Sequence, residues 1–179
     1  MRYKDNPMKT VELDLHSLDL SYMRLRAKRP VAEKRLLTSL GEHGQQNPVI
    51  VVAGEEAGRY VVIDGHKRVR ALSKLRADMV KAVVWELDAA DALSAAYQIG
   101  KQGGWSVFEE GWLIAELHRM RGWDLGRIGG RLMRSKAWVS IRAKITSHFC
   151  LRWADGVIPI PLRHVAMVAT NVQGGNILL

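Results

Sequence analysis

The sequence has a single cysteine, no long apolar run and few acidic residues for its number of basic ones. Cys150 stands alone among 179 residues, which excludes an internal disulfide and a metal site built from several thiolates. No apolar stretch approaches the roughly 20 residues that span a bilayer, and the N-terminus lacks the apolar stretch of a signal peptide. We therefore expect a cytoplasmic protein without a membrane partner.

Basic charge is the most informative feature of the composition. Lys and Arg number 27 against 18 Asp and Glu, which gives a formal net charge of +9. Such an excess favours a polyanionic partner, nucleic acid first, although a solvated basic surface has the same composition. The hydrophobic fraction of 47% and the charged fraction of 25% are ordinary for a folded chain, which argues against disorder along most of the length.

The first half of the chain alternates between helical and strand patterns. Apolar residues recur at helical spacing from Ala32 to Leu40, and PVIVVA and YVVI are two β-branched runs separated by a turn-rich segment, as in a hairpin. A helical pattern follows Gly65, and MVKAVVWEL returns to strand character. These patterns predict an α+β unit over residues 11–87, which the next helix extends to a domain over 11–100.

Helical patterns then continue, each preceded by a residue that can cap a helix. We predict caps at Asp88, Ser106, Asp124 and Ser135. The short helices after the last two caps carry apolar residues at the spacing of a helix-turn-helix, with Gly129 at their closest approach. The boundary is placed near 101–104, with a helix-turn-helix domain over 105–150 and a partial helical segment and tail over 151–179.

Two residues depart from the usual helix-turn-helix pattern. Met133 stands in the turn, where a glycine would relieve a left-handed conformation. Arg142 stands where a further apolar core residue is expected.

Basic residues concentrate in this helical region, where phosphate neutralisation gives affinity for DNA of any sequence. A recognition helix over about 136–145 would present its first residues to the major groove. The candidate DNA-binding residues are Arg131, Arg134, Ser135, Lys136, Ala137, Ser140, Arg142 and Lys144. The alternative is a basic helical hairpin that only packs. Tryptophans in these elements are expected in the core, and only Trp138 is a candidate for stacking on bases.

The segment DGHKRVRA follows a strand and opens a helix. Backbone amides at a helix start, together with Arg and Lys side chains, form a site for a phosphate group. The alternative is a hairpin end whose basic residues face water.

The histidines lack metal-binding spacing, and neither a Ser/His/Asp arrangement nor a GxSxG motif occurs in the chain.

Three segments together resemble the ParB/sulfiredoxin-like family. YVVIDGHKRVRALSKL is similar to that family's strand, glycine turn and helix, where ParB proteins commonly read GERRxRA. LLTSLGEHGQQNPVIVV resembles the segment before it, and WSVFEEGWLIAELHRMRGWDLGRIGGRLMRSKAWVS resembles the ParB helix that continues into a helix-turn-helix. The resemblance covers residues 11–145 and implies a small ParB/sulfiredoxin-like domain followed by an all-α DNA-binding domain.

For this chain, the resemblance implies CTP with Mg²⁺ as cofactor, held by Gly65, Lys67, Arg68 and Arg70. It also implies double-stranded DNA as partner, in partition or transcriptional regulation, and a homodimer or a full-length ParB-like relative as protein partner. His66 replaces the usual acid, and residues 98–102 do not match the second nucleotide motif, so at most weak CTPase activity is expected. Sulfiredoxin chemistry needs a cysteine in this turn, and position 66 is a histidine, so sulfiredoxin activity is not expected.

Two other functions are also compatible with the sequence. One is a ParB-fold enzyme, either a nucleotide-dependent kinase or a nuclease, with accessory helices. The other is a truncated, non-catalytic interaction module, because ParB proteins usually continue through further helices to a dimerisation domain. If the protein is a ParB-like DNA-binding protein, replacing Arg134 and Lys136 by alanine should abolish DNA binding and spare nucleotide binding. An enzyme would keep its turnover after the same replacement.

Overall fold

The computed structural model describes residues 9–100 and 104–150, with side chains as far as Ile145. The tail predicted over 151–179 lies outside the described residues, as do residues 101–103 of the predicted boundary. In the described part of the chain, none of the helices is long and apolar enough to cross a membrane.

A mixed five-stranded sheet forms the first half of the described chain. Its strands are β1 (Thr10–Asp14), β2 (Leu18–Asp19), β3 (Val49–Ala53), β4 (Tyr60–Asp64) and β5 (Met79–Trp85), in the order β1-β5-β3-β4-β2. Strands β3 and β4 pair antiparallel, which confirms the predicted hairpin, while β3 and β5 run parallel. Helices α1 (Pro30–His43) and α2 (His66–Lys74) complete this half, so the predicted α+β class is confirmed.

The two faces of the sheet bury different side chains because successive residues of a strand point to opposite sides. Val51 and Val62 pack with Leu40 of α1 and Leu72 of α2 in one cluster. The opposite face contributes to a second, larger cluster that also includes side chains of the later helices. The sheet is therefore covered on both faces.

Four helices follow the sheet, each starting at the predicted cap. They are α3 (Ala89–Ile99), α4 (Val107–Arg121), α5 (Leu125–Leu132) and α6 (Lys136–Cys150). The side chains of Asp88 and Asp124 accept hydrogen bonds from backbone amides of α3 and α5. Ser106 and Glu109 form a capping box on α4, and the Ser135 hydroxyl accepts a hydrogen bond from the backbone amide of Trp138. These bonds satisfy free amides of the first turns and fix where each helix begins.

One hydrophobic cluster connects the sheet to the last helices. Val83 and Ile63 of the sheet, Leu93 of α3, Leu117 of α4 and Val139 of α6 all belong to it. Helix α3 contacts both β4 and α5, so it lies between the sheet and the helix pair α5–α6. The division into domains at 101–104 stays a prediction.

Candidate nucleic-acid interface and glycine turn

Helices α5 and α6 approach closely at Gly129. A Cβ atom on this glycine would lie 2.7 Å from the carbonyl oxygen of Arg134, in the turn that leads into α6. The turn itself contains Met133 in a left-handed conformation, with φ 53° and ψ 48°. Both features predicted for this helix pair, the small residue at the crossing and the left-handed turn position, are confirmed.

One face of α6 points away from the protein. Ala137, Ile141 and Lys144 are exposed and Ser140 is half-buried, at the i, i+3, i+4, i+7 spacing of a single helical face. Lys136 is exposed at the helix start, beside this face. We call these five residues the outward face of α6. Four of them were predicted as DNA-binding residues, and Ile141 was not.

The predicted residue Arg142 points inward instead. Its Nε donates a hydrogen bond to Glu110 Oε2 of α4 at 2.8 Å, and its side chain is only 22% exposed. The position is thus half-buried and faces α4, in line with its place in the pattern. The guanidinium is accommodated there because a buried carboxylate balances its charge.

Trp138 also lies on the inner side of α6. The guanidinium groups of Arg134 and Arg142 each lie 4.9 Å from its ring centroid, and the ring of Tyr97 lies 6.4 Å away. Cation–π contacts and burial explain this placement. The structure therefore gives Trp138, the candidate for stacking on bases, ring contacts within the protein, as expected for the other tryptophans.

Tyr97 and Glu110 connect the inward residues to α3 and α4. The Tyr97 hydroxyl donates to Glu110 Oε1 at 3.0 Å and accepts a hydrogen bond from Arg134 Nε at 3.1 Å. Glu110 thereby bonds to both Tyr97 and Arg142. Burial is the largest cause of the raised pKa of Tyr97, so its hydroxyl stays protonated and can donate. We call Tyr97, Glu110, Arg134 and Arg142 the α6 support network.

The remaining predicted DNA-binding residues, Arg131 and Ser135, also have contacts within the protein. Arg131 Nη1 lies 3.0 Å from Asp91 Oδ1 of α3, and its guanidinium lies 5.2 Å from the ring centroid of Trp123. Ser135 caps α6. The predicted set thus divides into residues that position α6 and residues that α6 presents outward.

The glycine turn lies between β4 and α2. Gly65 has φ 98°, and a Cβ atom there would lie 2.7 Å from Val49 Cγ1 of β3, so the position requires glycine. Arg68 pairs with Asp64 at 3.0 Å, and Arg70 pairs with Glu33 of α1 at 2.5 Å. The two arginines among the predicted phosphate contacts therefore already have carboxylate partners.

The charges of two arginines from the segment before α1 act on Lys67. Its pKa is lowered, mainly by burial and then by the charges of Arg29 and Arg26. Both arginines lie near the buried carboxylate of Glu109, at 3.1 Å for Arg29 and 3.6 Å for Arg26, and the amide of Ala27 donates to it at 3.0 Å. The α4 capping box thus also binds the basic segment before α1, a role that sequence analysis missed.

His66, the residue after the glycine, is almost fully buried. Burial lowers its pKa to about 4, so its ring is neutral at physiological pH. Its Nε2 has no hydrogen-bond partner. In place of the acid expected from the family motif, the chain has a neutral, buried ring.

A cavity of about 250 Å³ adjoins this turn. Arg26, Ile50, Asp64, Ala96, Ile99, Gly100 and Trp105 line it. Arg26 has a buried Nη1 without a hydrogen-bond partner, and its guanidinium lies 4.1 Å from the ring centroid of Trp105. Sequence analysis missed Arg26 and Trp105, because the two residues meet only through the packing of α4 against the N-terminal segment.

No group of three or more His, Cys, Asp or Glu side chains within residues 9–100 and 104–145 is arranged to hold a metal ion. Magnesium bound with a nucleotide usually takes only one or two protein carboxylates besides the phosphates. Asp64 is the acidic residue that lines the cavity beside the turn.

Comparison with known proteins assigns the family. The sequence model of the ParB N-terminal domain matches residues 3–99, which is more than half of the chain. The putative replication protein B of Rhizobium rhizogenes is 42% identical over 78 residues, or 43% of this chain and 24% of that relative. The match therefore spans about a quarter of the relative's length.

The solved structures that are similar to the chain include two of a chromosome-partitioning protein. The C-terminally truncated chromosome-partitioning protein ParB from Caulobacter crescentus complexed with CTP-γ-S has a TM-score of 0.47 and 22% identity, covering 75% of this chain and 76% of that one. The same protein complexed to the centromeric parS site has a TM-score of 0.46 and 22% identity, covering 74% of this chain and 69% of that one. From the match to its sequence model, we conclude that the chain belongs to the ParB N-terminal domain family.

Proposed function

We propose that the protein binds duplex DNA through the outward face of α6, and that CTP bound at the Gly65 turn modulates this binding. The observation that carries the proposal is the division of α6 into two sides. One side is held in the protein by the α6 support network, and the other presents Lys136, Ala137, Ser140 and Lys144 to solvent. Partition or transcriptional regulation is the process we propose, as the resemblance implies.

The outward face has the features that major-groove recognition needs. An α-helix fits the major groove of B-DNA, with its N-terminal residues nearest the base edges. Lys136 and Lys144 supply positive charge at the two ends of this face, while Ala137 and Ser140 are small enough to let the helix approach the bases. Because the inner side is already fixed by hydrogen bonds, little order has to be gained on binding.

The Gly65 turn has the features of a phosphate site. Free amides at the start of α2 favour an anion, and Lys67 adds a positive charge there, with a pKa lowered by burial and then by the charges of Arg29 and Arg26. Arg68 and Arg70 would contact phosphate by exchanging their present carboxylate partners for it. If Mg²⁺ accompanies the nucleotide, Asp64 and the phosphate oxygens are its ligands. CTP as the nucleotide follows from the family resemblance.

We further propose that the nucleotide acts on DNA binding through association of two protomers, either as a homodimer or with a full-length ParB-like relative. Helix α3 is the physical connection within one protomer. Its C-terminal end lines the cavity beside the turn, and its Tyr97 belongs to the α6 support network. A change at the cavity therefore reaches α6 through one helix.

The DNA proposal is tested by the salt dependence of duplex affinity. Each neutralised phosphate contributes a slope of about 0.9 in the plot of log affinity against log salt concentration. Replacing Lys136 and Lys144 together by alanine should lower the slope by about 2 and weaken binding. Lys34→Ala, which removes an exposed lysine of α1, is the matched control and should change neither. Equal slopes for the double variant and the control would refute the proposed interface.

The nucleotide proposal is tested by CTP affinity measured calorimetrically with Mg²⁺ present. Lys67→Ala should weaken CTP binding at least tenfold, because a charge-assisted contact to phosphate contributes about 1.5–3 kcal/mol. Lys74→Ala, at the exposed end of the same helix, should leave CTP affinity unchanged. Equal affinities for the two variants would place the nucleotide elsewhere.

A further inference from the structure

We propose that Ile141 is a specificity-determining residue, and that its side chain contacts the 5-methyl group of a thymine in the major groove. The inference rests on the proposed binding of duplex DNA by the outward face of α6. It goes beyond that proposal because it names the base and the atom that are recognised.

Ile141 is unusual among the residues of this face. It is a large hydrophobic side chain with 43% of its surface exposed, whereas Val139 on the inner side of the same helix is fully buried. It lies one turn after Ala137 and one residue after Ser140, near the middle of the outward face. A DNA helix lying along this face would meet Ile141 centrally.

The charge around Ile141 indicates what contacts it. Lys136 and Lys144 lie on either side of it along the helix, and a hydrophobic protein partner would have to remove both ammonium groups from water. A polyanion gains from the same lysines. Within duplex DNA, the thymine 5-methyl group is the apolar group that the major groove exposes.

The shape of the side chain suits a selective contact. A β-branched residue in a helix is restricted to few χ1 rotamers, so little side-chain entropy is lost when Ile141 packs against a base. Ala137, one turn earlier on the same face, is small and lets the helix come near enough for such packing. Together they form a short apolar strip between two cations.

The test replaces thymine by uracil, which removes only the methyl group. A duplex site is first selected by the wild-type protein from a random pool, and each thymine of that site is then replaced singly by uracil. We expect one position where uracil weakens wild-type binding about fourfold, the effect of exposing one buried methyl group. The Ile141→Ala variant should bind the thymine and uracil forms of that site equally.

A matched control removes an exposed hydrophobic side chain elsewhere. Val31→Ala on α1, where the valine is 69% exposed, should keep the fourfold preference for thymine. The proposal is overturned if no uracil replacement weakens wild-type binding, or if Ile141→Ala keeps the wild-type preference. Failure of the wild-type protein to bind duplex DNA at all would refute the proposed function itself, so the two failures are distinguishable.

Discussion

Two adjacent glycines of α5 should differ in their response to the same substitution. Gly129 lies against the turn before α6, where a Cβ atom would be 2.7 Å from the carbonyl oxygen of Arg134. Gly130 is exposed, and a Cβ atom there would have no neighbour within 4 Å. The close contact at Gly129 is with a backbone oxygen, which cannot move away as a flexible side chain can.

The expected magnitudes follow from two terms. Alanine in a helix is more favourable than glycine by about 0.5–1 kcal/mol, and this gain applies to both variants. Overpacking at Gly129 costs about 1–3 kcal/mol, and it applies to that variant alone. Gly130→Ala should therefore raise the free energy of unfolding. The free energy of unfolding of Gly129→Ala should be about 1–3 kcal/mol lower than that of Gly130→Ala.

Urea unfolding followed by circular dichroism measures this difference. The transition midpoints are compared with one common m value, the slope of unfolding free energy against urea concentration. Because the propensity gain cancels between the variants, their difference reports the close approach of α5 to the turn. Gly129→Ala should also weaken duplex binding, since the Arg134 carbonyl leads directly into α6. Equal stability of the two variants would refute the close packing of the helix pair.

Three further changes test the glycine turn and the α6 support network. Gly65→Ala should lower the free energy of unfolding by more than Gly58→Ala, because both have positive φ but only Gly65 also meets a strand side chain. His66 binds a proton more readily in the unfolded chain, with a pKa near 6.5, than in the fold, where the pKa is about 4. Stability is therefore lost as the pH falls, by about 2 kcal/mol between pH 7 and 5, and His66→Gln should remove that part of the slope. Glu110→Ala should cost about 3 kcal/mol, since it removes the buried carboxylate that pairs with Arg142 and accepts the hydrogen bond of Tyr97, and Glu110→Gln should cost less. Urea titrations measure all three effects, at several pH values for His66→Gln. Equal losses for Gly65→Ala and Gly58→Ala would contradict the contact at Gly65, and equal losses for the two Glu110 variants would contradict the ion pair. An unchanged dependence of stability on pH in His66→Gln would contradict the burial of a neutral His66.

Features that depend on neighbouring residues were predicted from the sequence. The four caps, the β3–β4 hairpin and the left-handed Met133 each follow from a few consecutive side chains and their backbone preferences. The small residue at Gly129 was predicted because the helix spacing fixed where α5 and α6 cross. Strand β1 was missed because none of its side chains is fully buried, so its alternation is weak.

The parts that sequence analysis did not anticipate depend on residues far apart in the chain. From the sequence, Arg142 is a candidate for the DNA interface because it is a basic residue on the predicted recognition helix. Its partner Glu110 lies 32 positions earlier on another helix, and only the packing of α4 against α6 brings them together. Likewise, the contact of Glu109 with Arg29 joins segments 80 positions apart.

Selection of bound fragments from a random-duplex pool, at near-physiological salt and with or without CTP and Mg²⁺, tests the central claim most directly. The account predicts enrichment of one site by the wild-type protein and a change in that enrichment when CTP is added. Enrichment should be lost when Lys136 and Lys144 are replaced by alanine, and kept in Lys34→Ala. Binding that weakens with salt but enriches no site would contradict the account, because the net charge alone would then explain it.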